Sequence, residues 1–132
     1  MKNSPFPPGY EREKKNLAID FDGVIHDWSK GWHDGTCYGK PIKGAKKSIK
    51  LISKDFRIII FSAKCKPDRP LVNGKTGKEL IIEWLEKYDL LDYVAEVTHE
   101  KPRSVLYIDD NAYRFDNWVK TLNFITKHIE RL

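Results

Sequence analysis

Cysteine, methionine and long apolar runs are scarce in this chain of 132 residues, which holds two cysteines and one methionine. Cys37 and Cys65 cannot build a disulfide scaffold, and two thiols alone do not make a zinc cage. The default for such a pair is reduced thiols in a cytoplasmic protein. No stretch approaches the roughly 18 apolar residues of a membrane span, so no membrane partner is expected. The opening Met1-Lys2-Asn3-Ser4-Pro5-Phe6-Pro7-Pro8-Gly9 has no apolar segment of the secretory kind and reads as the start of a flexible arm over residues 1–15. Repeats are absent too. Acid is scarce in one place: residues 40–78 carry 12 Lys/Arg against only Asp55 and Asp68. A positive middle of that kind suits either an anionic substrate or a solvated lysine-rich helix face.

What remains reads as one α/β domain over residues 16–132. Leu17 to Phe21 and Arg57 to Phe61 are apolar runs without alternation, as expected of strands buried on both sides. Tyr93 to Val97 and Ser104 to Ile108 are read as two further strands. Between the first two strands, Ile42, Ala45, Ile49 and Ile52 recur at helical spacing over residues 44–54. Thr76-Gly77-Lys78-Glu79 has the pattern of a capping box, opening a helix that carries Leu80, Ile81, Trp84, Leu85 and Tyr88. From about Asp116 a last helix is expected to present Trp118, Leu122, Ile125 and Ile129 on one stripe. Alternating strands and helices predict a three-layer, Rossmann-like parallel sheet with helices on both faces. Residues 24–40, rich in Gly, Trp, His and Asp, read as a flap in which Trp28, Trp32 and Tyr38 either cover a substrate or pin the flap to the body. His26, His33, His99 and His128 have no metal spacing and read as flap or surface residues. Cys37 and Cys65 would approach one another if the flap folds over the loop after Phe61.

The chemistry concentrates at strand ends. In a strand over 17–21, Asp20 and Asp22 point to one side, and Gly23 allows a sharp turn after them. Two carboxylates so close repel unless a cation or proton intervenes. In parallel sheets the ligand sits beyond the carboxyl ends of the strands. Three such ends carry polar groups: Asp20 with Asp22, then Ser62, then Asp109 with Asp110. Their convergence predicts a magnesium-assisted phosphoryl-transfer site.

The ordered set Asp20-Phe21-Asp22-Gly23-Val24, Ser62, Lys101 and Asp109-Asp110 resembles the four motifs of the haloacid dehalogenase (HAD)-like superfamily of phosphohydrolases over roughly residues 16–126. With a flap too short to be a cap domain, the chain looks like a capless member. The resemblance is to small bacterial and phage phosphatases and to the phosphatase half of polynucleotide kinase-phosphatases. It implies that Asp20 is the nucleophile and forms an aspartyl-phosphate. Asp22 would act as general acid and base and offer its backbone carbonyl to the metal. Ser62 and Lys101 would bind and neutralise the phosphoryl group. Gly23, Ala63, Lys64 and Trp28 would line the substrate, and Asp109 and Asp110 would hold Mg²⁺ with Asp20 and Asp22. Which of Asp109 and Asp110 touches the metal stays open. Lys64 stands where many relatives carry arginine, keeping the charge and losing the planar fork. Two substrates are then in view: a nucleotide or other small phosphomonoester, and a 3′-phosphate at a nucleic-acid end gripped by the lysines of residues 43–54. A phosphotransferase, a phosphonatase, or a non-catalytic domain that binds nucleic acid or protein are the alternatives in other classes.

Overall fold

The computed structural model describes residues 7–128, and the arm's first residues and Ile129 of the expected stripe lie outside them. Four strands form a single sheet: β1 Asn16–Asp20, β2 Arg57–Phe61, β3 Glu96–Thr98 and β4 Leu106–Ile108. All neighbours are parallel, in the order β3-β2-β1-β4. The chain steps outward from β1 to β2 to β3, then crosses back to place β4 on the other side of β1. That reversal is the topological switch point at which Rossmann-like sheets open a crevice.

Three α-helices accompany the strands: α1 Ala45–Ile52, α2 Gly77–Lys87 and α3 Trp118–His128. The capping box of α2 is complete, with Thr76 accepting from the Glu79 amide and the Glu79 carboxylate accepting from the Thr76 amide. In contrast, α1 starts after the left-handed Gly44 with no side-chain cap and no acid in its first turn. Eight residues with such an end are marginal alone. Burial of Ile49 against the sheet holds the helix in place.

Strand alternation sorts the core. Leu17 and Ile19 share a face with their partners Ile58 and Ile60, and on that face they meet Ile49 of α1 and Ile81, Trp84 and Leu85 of α2. These side chains are nearly inaccessible, and burying each contributes about 1.5–3 kcal/mol relative to exposure. Ala18, Ile59, Phe61 and Tyr107 point the other way. There the cover is thinner than the sequence predicts. Among the described residues α3 buries only Thr121, while Trp118 and Leu122 are 67% and 57% exposed. Amphipathic spacing makes a helix with an apolar stripe; it does not supply a surface for the stripe to pack on.

Candidate functional site

β1 ends at Asp20, and β4 ends one residue before Asp109. Because Ile19 is in register with Ile108, the residues that follow each of them leave the sheet side by side. The result is a group of three carboxylates, Asp20, Asp109 and Asp110, each with an oxygen within 4.8 Å of the others. Gly23 makes room for it. Its φ of +83° is one that residues with a side chain rarely adopt, and a Cβ there would lie 2.2 Å from Oδ2 of Asp110. Burial pushes the Asp20 carboxyl up to about 7; the Phe21 amide, donating to Oδ1 at 2.8 Å, opposes this, and Asp109, Asp110 and Asp22 reinforce it.

Asp22 takes a different place. Its Oδ1 receives a hydrogen bond from His26 Nδ1 at 2.9 Å, and Oδ2 lies 3.5 Å from the Lys64 ammonium. His26 is a flap residue, as expected, but it is completely buried and not on the surface. Its ring stacks on Phe21 at 5.1 Å, and its Nε2 accepts from the Gly39 amide at 2.8 Å. With Nε2 accepting, the proton sits on Nδ1 and is donated to Asp22, so the flap selects the tautomer that orients this carboxylate. Gly39 is held in turn by the Trp84 indole, which donates to its carbonyl at 2.8 Å. The Asp22-to-His26 spacing was visible in the sequence. Without the turn that closes on the Phe21 carbonyl it carried no signal.

Ser62 is buried at the end of β2, where its amide donates to the Thr98 carbonyl and its Oγ accepts from the Lys64 amide. That leaves the hydroxyl hydrogen free to serve an oxyanion. Lys64 is the unusual group. The ammonium is buried without a hydrogen-bond acceptor, 4.8 Å from the Trp28 ring centre and 5.7 Å from that of Trp32. Cation–π attraction and the nearby Asp22 offset part of its desolvation. A hollow of about 250 Å³ brings together Asp20, Asp22, Trp28, Trp32, Ser62, Ala63, Lys64 and Arg69. Arg69 had no sequence signal at all. Lys101 stands apart from this group: exposed, its ammonium 4.8 Å above the Tyr107 ring, it lines a second hollow that also reaches Asp109. Cys37 and Cys65 are both free and half-buried, and burial pushes each thiol up to about 11, so neither is a ready nucleophile.

Chemically, the arrangement offers hard oxygen ligands at a switch point, a hydroxyl donor, an oriented carboxylate and a buried cation. No protein-family model, curated protein or solved structure matches this chain. No helix among the described residues is long and apolar enough to cross a membrane.

Proposed function

We propose that this chain is a Mg²⁺-dependent phosphomonoester hydrolase of the HAD-like kind, with the flap of residues 24–40 in place of a cap domain. The observation that carries the reading is the meeting of Asp20, Asp109 and Asp110 within 4.8 Å at the switch between β1 and β4. The donor set fits the proposed ion. All three groups are carboxylates, the ligands magnesium prefers, and the missing Cβ of Gly23 is what lets Asp110 join them. A cation there would also offset the burial that raises Asp20 and the repulsion that reinforces it, leaving its carboxylate ionised at neutral pH.

Bound magnesium would supply charge neutralisation for the incoming phosphate. The chain's own residues do the rest. An Asp20 oxygen attacks phosphorus, forming the aspartyl-phosphate as the ester P–O bond breaks, and Asp22 gives its proton to the departing oxygen. Asp22 then takes a proton from water. The water oxygen bonds to phosphorus, the bond to Asp20 breaks, and inorganic phosphate leaves. Ser62 and Lys64 face the phosphoryl oxygens from the small hollow, and Lys101 approaches from the Asp109 side.

Asp20→Asn tests this directly. Loss of a nucleophile should lower kcat on the order of 10⁴-fold or more, measured as phosphate release from a panel of phosphomonoesters with Mg²⁺. Chelation should silence the wild type and Mg²⁺ restore it. Turnover by Asp20→Asn at near wild-type rate would remove the covalent mechanism.

A further inference from the structure

The second hollow, of about 670 Å³, is the larger of the two that touch the carboxylate group. It lies against Phe61 and Tyr107, on the face of the sheet opposite the α1–α2 core and on the side to which Asp20 points. Asp109 forms one wall. Tyr107, Tyr113 and Phe115 contribute three rings, each between 37% and 55% exposed, and Lys101 and Arg114 contribute two cations.

We infer that this hollow binds the nucleoside part of a nucleotide unit whose terminal phosphate sits at Asp20. The inference rests on the phosphomonoester reading in one respect, the position of the phosphate. Three features of the hollow select the occupant. The volume suits a nucleotide, whereas the hollow beside Ser62 falls below the roughly 300–1,000 Å³ of sites for molecules of that size and takes a phosphoryl group. Phe124 lies beside Tyr113, Trp118 beside Phe115 and the Lys101 ammonium over Tyr107. Yet all three rings keep open surface, which offers stacking to a base and which a sugar phosphate without a base would not use. Cations beside the rings neutralise phosphate oxygens that an uncharged aromatic ligand lacks. The lysines of α1 take no part, because α1 packs on the other face of the sheet.

A free mononucleotide and the end of a single strand share this chemistry. The experiment separates them while testing the site. Steady-state kinetics with Mg²⁺ would compare glycerol phosphate, nucleoside 3′- and 5′-monophosphates, and single-stranded oligonucleotides with a terminal phosphate. Nucleotide substrates should be preferred over glycerol phosphate. Phe115→Ala should lower the ratio of their kcat/KM values about tenfold through KM, the loss of one stacked base. Arg114→Gln should lower it less, and most for the oligonucleotide. A KM that rises steeply with salt for the oligonucleotide alone assigns the site to strand ends. Both side chains are exposed, so both variants keep the core. No nucleotide preference in an active enzyme overturns the inference and leaves the hydrolase reading standing. If no ester is turned over, fluorescence anisotropy of a terminally phosphorylated oligonucleotide on the chain decides alone: binding lost in Phe115→Ala upholds the hollow, and no binding overturns it. A dimer at micromolar concentration that becomes monomeric in Phe115→Ala also overturns it, because the rings would then belong to a contact between copies.

Discussion

The two sides of β1 are built differently. Toward β2 and α2, every layer is closed: Ile58, Ile60, Ile81 and Leu85 are at most 1% exposed, and the indole of Trp84 is both packed and hydrogen-bonded. Toward β4 and α3, residues 111–120 are all exposed, and the buried apolar core described for this chain has no member after Val97. Yet the carboxylate group joins the two: Asp20 ends β1, the strand they share, and Asp109 and Asp110 come from the open side. Tight packing holds β1 and the His26 that orients Asp22 in place; the thinly packed edge supplies two of the three grouped carboxylates and room beside them. Regions with few buried contacts open locally at low free-energy cost, which suits a surface that must admit and release a substrate.

The sharpest way to break this comparison is a pair of truncations. Ile60→Ala should destabilise the fold by about 2–5 kcal/mol, through lost transfer free energy and a residual cavity. Leu122→Ala should change it by no more than about 0.5 kcal/mol. Urea denaturation of the two variants reads the difference directly; a costly Leu122→Ala would mean the α3 face is covered in solution. Next in size is His26→Ala, which removes a buried ring with hydrogen bonds at both nitrogens. A loss of about 3 kcal/mol is expected from the cavity and the stranded Gly39 amide. Activity should fall further than stability explains, about 10²-fold in kcat for a misplaced Asp22. His26→Gln, able to donate to Asp22, should recover part of the rate.

The smallest effect concerns pH. Asp20 is raised from an ordinary value near 4 to about 7, so the folded, metal-free chain holds its proton more tightly than the unfolded one. Its contribution to stability is complete below the unfolded value and is lost as pH rises through about 7. Solvent screens this half-exposed group, so the loss should be about 1–2 kcal/mol, roughly 3–8 °C in Tm for a chain of this size. Asp20→Asn should lack that slope. Thermal scans between pH 4 and 8 with chelator, wild type beside variant, measure it, and parallel curves would contradict the shift.

These contrasts also explain which features were legible in the amino-acid sequence. The strands expected over 17–21 and 57–61, found over 16–20 and 57–61, the helix opened by Thr76 and Glu79, and the acids at the strand ends were legible because each depends on residues adjacent in the chain. The third strand begins later than its apolar residues suggest, since Leu91–Tyr93 forms a 3-10 turn first. His26 and Arg69 were illegible as site residues because loops, not periodic elements, bring them in. The same holds for the rings around Tyr113: nothing in a sequence says that a sheet face will be left open beside them.

The bond from the Trp84 indole to Gly39 has one more implication. It nails the base of the flap to the helix behind it, and Gly39 in turn clasps His26. Swinging that base away would strip an imidazole of its acceptor role and release the carboxylate beneath. The Trp-bearing segment is therefore a wall anchored at its base, and on the proposed reading a substrate's way in and out runs past β4.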